Sequence, residues 1–196
     1  MIQQEFQVFT KEEQEFIRCS VLSAGIDWTN GQKYPYHEPE KVWNFEMMTH
    51  LTTRRSYGAA LPMFVHRLVE RSESKGEPGV VVSKTWEFFE PIFHRIREKM
   101  ELPFQHILRS SLNATWSQEP LHGDPHLDHY GLRHYNMILH LTPISQGGTF
   151  IFDDNHNILE ESSPAVWSAT AFEGLWHAQG FCAPGETRII CVITWQ

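Results

Sequence analysis

The chain has 196 residues, 41% of them hydrophobic and 20% charged, and a formal net charge of −8. That length fits one ordinary domain, and the composition excludes a disordered chain. The acidic balance argues against a bare nucleic-acid or anionic-membrane binder, since both surfaces are polyanionic. No stretch approaches the roughly 18 apolar residues of a membrane span. The opening MIQQEFQVFTKEEQEF carries charges where a signal peptide needs an apolar run. Cys19, Cys182 and Cys191 form no C-x-x-C pair, and their odd number speaks against a disulfide framework. A reducing, cytoplasmic setting follows as the expectation.

Thr10, with Glu13 three positions on, reads as a capping box opening a helix through EEQEFIRCSVLSAG. Turn formers make 28–39 a loop. Further helices are expected at about 39–50 and 61–73. The basic clusters Arg54/Arg55 and Arg67/Arg71 read as solvated helix surface. The polar run SESKGEPG (72–79) is a loop. In SKTWEFFEPIFHRIREKMEL (83–102), Trp86, Phe89, Ile92, Phe93, Ile96 and Met100 recur at helical spacing. Pro91 marks a kink or the helix start.

From about Phe104 the period changes. Short runs rich in β-branched and aromatic residues follow at 106–116, 134–142, 147–153, 165–172 and 187–195. In HYNMILHLT, Tyr135, Met137, Leu139 and Leu141 alternate with Asn136 and His140. Regularly spaced short strands suggest a sandwich or barrel. The expectation is a single α+β domain with a mainly β core: helical support over 1–103 and a β core over 104–196.

Twelve histidines prompt a search for metal chemistry. In His126-Leu127-Asp128, an extended backbone turns both side chains to one side, offering one nitrogen and one oxygen to an ion. His177 lies two or three strands later. Two imidazoles and one carboxylate on one face suit iron(II), with open positions left. Arg188, at the start of the last strand, can pair bidentately with a carboxylate. Gly147-Gly148-Thr149 marks a tight turn or a close backbone approach. Each feature alone is weak, but the ordered set is specific.

That order resembles the 2-oxoglutarate/iron(II) dioxygenases, especially the prolyl-4-hydroxylase-like branch and its small phage-type relatives. The matching stretch is RSSLNATW…PHLDHYGLRHYNMILHLTPISQGGTFIFD…LWHAQGF…GETRIICVITW, a little under half of the chain. The resemblance implies a double-stranded β-helix, or jelly roll, buttressed by helices. It implies His126, Asp128 and His177 as iron ligands and Arg188 as partner of the 2-oxoglutarate C5 carboxylate. It implies dioxygen as oxidant and a hydroxylated product, with succinate and CO2 released. The substrate is a peptide, as in prolyl hydroxylation, or a small molecule. The family's co-substrate tyrosine is missing from the strand before the dyad. Asn113, Thr115, Trp116, Asn136 and Tyr135 are the candidates for its place.

A rival dyad, His122/Asp124, overlaps the first. Gly123 and Pro125 give it a loop character, and the spacing from Asp128 to Asn136 resembles the phage-type relatives, so His126/Asp128 is preferred. His129 reads as surface or as support behind a ligand. His122, His134 and His140 read as core, support or pocket residues. Asp153, Asp154 and Asn155 read as a hairpin turn. Trp167, Phe172 and Trp176 read as core, with a lining role open to Trp176. The alternative function is a cupin-like metal- or ligand-binding protein without 2-oxoglutarate turnover. The sequence leaves the oligomeric state open.

Overall fold

The computed structural model describes residues 2–22, 44–48, 61–118 and 121–196. Thr10 caps α1 (Lys11–Phe16) with both hydrogen bonds of the capping box, and Ile17–Leu22 continues it as a π-helical turn. In α2 (Trp86–Lys99) the apolar stripe Trp86, Phe89, Ile92, Phe93 and Ile96 is buried, the face expected from its spacing. Pro91 falls inside α2, on its exposed side. Glu13 accepts two 2.7 Å hydrogen bonds from Arg95, which ties α1 to α2. Among the described residues, no helix is long and apolar enough to cross a membrane.

The strands are β1 (Gln3–Glu5), β2 (Asn44–Met48), β3 (Leu61–Glu70), β4 (Val80–Val81), β5 (Ile107–Trp116), β6 (Tyr135–His140), β7 (Thr149–Phe152), β8 (Ile158–Glu161), β9 (Ala169–Glu173), β10 (Trp176–Gln179) and β11 (Thr187–Trp195). Among the described residues, eight form one sheet in the order β1-β9-β6-β11-β5-β3-β2, with β4 on β3. Three form a second sheet, β10-β7-β8. All pairings are antiparallel. The mainly β architecture expected from the sequence is present.

Strand alternation gives the large sheet two different faces. Leu112, Ala114, Met137, Leu139, Ile189, Cys191, Ile193 and Trp195 pack with the stripe of α2 in one core. The other face carries Asn113 and Thr115 opposite Ile190 and Arg188, and Asn136, Ile138 and His140 opposite Thr194, Val192 and Ile190. Ile138, Ile190 and Val192 meet Ile151 of the small sheet and Phe172 of β9 in a second cluster. The polar ends of this row border the site.

Two expected helices are strands. Within 39–50, residues 44–48 form β2, paired with β3; the rest of that stretch lies outside the described residues, as do loop 28–39 and Arg54/Arg55. The segment 61–73 is β3 and the turn after it. Its pairing with β5 shifts between Arg67 and Val69. That irregularity breaks strict alternation, and the buried set Met63, Phe64, Val65, Leu68 and Val69 then mimics a helical period. The five strand-like runs hold β5, β6, β7, β9 and β11. Not foreseen were β1 and β4, which with β2 and β3 put strands into the stretch 1–103 expected as helical support, along with β8, exposed throughout, and β10, four residues long. None of β1, β4, β8 and β10 is long enough to show a pattern.

Candidate metal centre

His126, Asp128 and His177 come together: each offers a ligand atom within 4.8 Å of the others. The dyad lies outside any regular strand. A single bridge holds it instead, with His126 N donating to His177 O at 2.9 Å and His177 N to His126 O at 3.0 Å. Opposed residues of such a pair present their side chains together, and the two imidazole centroids lie 4.4 Å apart. Asp128 closes the triangle: Oδ2 is 3.5 Å from His177 Nε2 and Oδ1 is 3.9 Å from His126 Nε2.

The tautomers follow from the carbonyls behind each ring. His126 Nδ1 lies 3.1 Å from the Asp124 carbonyl and His177 Nδ1 lies 2.9 Å from that of Leu175. A carbonyl only accepts, so each Nδ1 carries the proton and each Nε2 keeps its lone pair toward Asp128. Burial, with His177 beside it, pushes His126 down to about 4. Burial also lowers His177, against the pull of Asp128. Burial alone would raise the Asp128 carboxyl, but Arg109 and the two imidazoles hold it well below the usual carboxylate range. At neutral pH the triad is two neutral imidazoles and one carboxylate.

Arg109, at the open end of β5, donates to Asp128 Oδ1, and Arg71 donates to the Asp128 carbonyl at 3.1 Å. Neither contact was foreseen. Arg109 shares the parity of Asn113 and Thr115 along the strand, which was the one available signal.

Arg188 is 1% exposed, and burial lowers it to about 10, so it stays charged at neutral pH. Its Nε donates to the Gly147 carbonyl at 2.9 Å, while Nη1 has no hydrogen-bond partner among the described residues. Thr115 stands directly across from it on β5. Thr115 Oγ1, Thr149 Oγ1 and both ring nitrogens of His140 are likewise buried without partners among the described residues. Thr149 follows Gly147 by two residues and shares the face of Ile151 and His177. His140 is opposite Ile190, two residues from Arg188 on the same face. A buried cation beside unpartnered donors is costly unless an anion fills the space. The glycine pair permits close backbone packing here: Gly147 has φ +98° and a Cβ on it would crowd the Phe181 backbone, and a Cβ on Gly148 would overlap the Ser162 carbonyl.

His140 also predicts an acid sensitivity. Burial, then Arg188, pushes it from 6.5 to about 3. Between those values the unfolded chain binds a proton that the folded chain refuses. Its contribution to stability is therefore intact above pH 6.5 and lost as pH falls toward 3. In metal-free protein, His140→Asn should flatten the dependence of unfolding free energy on pH by up to about 1.4 kcal/mol per pH unit in that window. Parallel denaturation curves of both proteins from pH 7 to 4 check this; an unchanged slope refutes it.

The remaining candidates separate. His122 packs on Phe150 and Phe152 at 5.0 and 5.2 Å, bridges to Gly180, and stands apart from the triad with Asp124. Asn113 Oδ1 accepts from Ser111, and Asn136 Oδ1 from Thr194. Tyr135 is on the opposite face, stacked on Trp195 at 5.5 Å, and Trp116 packs beside Phe64; neither shares the Arg188 face. His129 is buried against His134 at 5.0 Å. Asp153 accepts from Asn155 and Asn157 in the β7–β8 hairpin.

No protein-family model and no curated protein matches the chain. Solved structures do. An oxidoreductase of the 2OG-Fe(II) oxygenase family from Burkholderia pseudomallei is 12% identical, with a TM-score of 0.63 over 99% of this chain and 84% of that one. The fold is that of the 2-oxoglutarate/iron(II) oxygenases. A Pseudomonas putida prolyl-4-hydroxylase shares this oxygenase fold at 10% identity and TM-score 0.54, covering 99% and 91%. So does a Trichoplax adhaerens prolyl hydroxylase in complex with a hypoxia inducible factor peptide fragment, at 8% identity and TM-score 0.59, covering 99% and 82%. At such identities the likeness to these oxygenases is one of fold, and residue roles rest on the geometry of the site.

Proposed function

We propose that the chain is an iron(II)- and 2-oxoglutarate-dependent dioxygenase that hydroxylates a peptidyl, prolyl-like or small-molecule substrate and releases succinate and CO2. The observation that carries it is the triad, together with the buried Arg188 guanidinium on β11, whose Nη1 has no hydrogen-bond partner among the described residues. The donor set fits the ion: two imidazole nitrogens and one carboxylate oxygen with a shared open face suit iron(II). The Arg188 chamber fits the co-substrate, because a carboxylate would satisfy the guanidinium and the neighbouring hydroxyls together. The prolyl hydroxylases among the fold neighbours, one of them holding a peptide, support a peptidyl substrate.

When bound, iron(II) and 2-oxoglutarate supply the oxidising equivalents that put one oxygen atom of O2 into a substrate C–H bond. His126 and His177 present Nε2 lone pairs, fixed by the Asp124 and Leu175 carbonyls behind them. Asp128 supplies the anionic oxygen, and Arg109 orients that carboxylate from behind. Arg188 binds the distal carboxylate of 2-oxoglutarate. Thr115 lies opposite it, and Thr149 and His140, which sequence reasoning had not placed there, complete the donor set. Asn113 and Asn136 border the same row and can reach the co-substrate side of the cavity. Ile138, Ile151, Phe172, Ile190 and Val192 pack as an apolar cluster between the two sheets, with Ile190 two residues from Arg188, and apolar surroundings strengthen charge interactions.

Turnover tests this function. Chelator-treated protein, given iron(II) and 2-oxoglutarate in air, should form succinate, and omission of either should abolish it. Succinate formation that is independent of iron would refute the assignment.

A further inference from the structure

A cleft of about 340 Å³ is lined by residues of β3, β5 and the turn after β3, and two of them, Arg71 and Arg109, also hydrogen-bond to Asp128. Val65 is opposite Asn113 and Arg67 is opposite Ser111, so the cleft borders the same sheet face as Thr115 and Arg188. Met63, Val65 and Val69 supply buried apolar surface. The charged lining is Arg67, Arg71 and Arg109 against one acid, Glu70, among the described residues. Arg67 and Arg71 therefore belong to a strand and turn walling a cleft, and not to a solvated helix.

The three guanidiniums are differently engaged. Arg67 pairs with Glu70 at 3.2 Å. Arg109 holds Asp128 and donates to Thr194 Oγ1 at 3.4 Å. Arg71 donates to a neutral partner, the Asp128 carbonyl, and no carboxylate among the described residues forms an ion pair with it. Three guanidiniums against Glu70 and Asp128 leave a positive surplus of one among the described residues here. It sits on a chain whose net charge is −8, so the field is local and points to this opening.

We propose that this cleft receives the substrate, and that the substrate is a small organic anion. Its apolar body lies on Met63, Val65 and Val69, and its carboxylate or phosphate group is held by Arg71 with Arg67. The volume agrees, since small-molecule pockets begin at roughly 300 Å³. The cleft's role in hydroxylation rests on the oxygenase function; its capacity for anions does not. Arg109 is a positioning residue shared by the cleft and the triad.

Equilibrium dialysis under anaerobic conditions, with iron(II) and saturating 2-oxoglutarate, tests the proposal with three probes: benzoate, phenyl phosphate and neutral benzamide. Wild-type protein should retain at least one anion and not benzamide, and the better-held anion identifies the head group. Arg67→Gln/Arg71→Gln should weaken that anion by about tenfold or more, the scale of lost charge-assisted hydrogen bonds. Added salt should weaken it further in the wild type. Raising 2-oxoglutarate from zero to saturation should leave it unchanged. Retention of neither anion, equal retention of benzamide, or an unaffected double variant overturns the proposal. So does loss of the anion as 2-oxoglutarate is raised, which would place it in the co-substrate chamber while leaving the oxygenase function standing. Anion binding that depends on Arg67 and Arg71, in a protein whose iron gives no spectral response to 2-oxoglutarate, overturns the cofactor assignment and leaves the cleft standing.

Discussion

His126→Ala should lose tight iron(II) binding and, with it, all 2-oxoglutarate-dependent turnover. The variant keeps Asp128 and His177, but two donors hold an ion far more weakly than three, and Arg109 competes for the remaining carboxylate. Loss of a residue that merely supports a ligand costs roughly 10- to 100-fold in metal affinity, so loss of a ligand should exceed about 100-fold. The fold should survive, because the strand-like pairing of His126 with His177 is made by backbone atoms, which alanine retains. His122→Ala is the matched control. Its ring packs on Phe150 and Phe152, away from the triad, and both iron binding and turnover should persist. Iron stoichiometry by metal analysis after anaerobic gel filtration distinguishes the two variants. Undiminished iron and activity in His126→Ala would remove it from the site.

Arg188→Ala should act on the proposed co-substrate and not on the metal. The guanidinium is buried, charged, and satisfied within the described structure only through Nε. A carboxylate arriving there gains charge-assisted hydrogen bonds and relieves a desolvated cation. The expected result is a rise in the dissociation constant for 2-oxoglutarate of about 100-fold, equivalent to about 2.7 kcal/mol, with iron stoichiometry unchanged. Thr115→Val and Thr149→Val remove one hydroxyl each and should have smaller effects of the same sign. An unaltered 2-oxoglutarate affinity in Arg188→Ala would leave the residue with a structural role alone.

The grouping of His126, Asp128 and His177 was more legible than the framework around it. H-x-D, the glycine pair, His177 and Arg188 are local patterns in a fixed order, and alternation in HYNMILHLT assigned Asn136 and His140 to the face opposite Met137 and Leu139. That alternation also carried enough information to exclude Tyr135, which shares the parity of Met137 and Leu139. By contrast, β3 read as a helix because its pairing shift scrambles a period-two pattern. The dyad sits on an isolated bridge, where no strand pattern exists to be read. Thr149 and His140 join Arg188 only through pairing between distant strands. The Arg109–Asp128 contact likewise needs β5 placed beside the dyad loop, which no local spacing encodes.

The measurement that bears most directly on the account is an anaerobic titration of metal-free protein with iron(II), then 2-oxoglutarate, followed in the visible spectrum. Chelation of protein-bound iron by the 2-oxo acid gives a weak charge-transfer band that neither component gives alone. The account expects that band in the wild type, saturating with 2-oxoglutarate, and its absence in His126→Ala. Iron binding with no band at saturating 2-oxoglutarate would contradict it, and would favour a cupin-like protein that holds metal without this co-substrate.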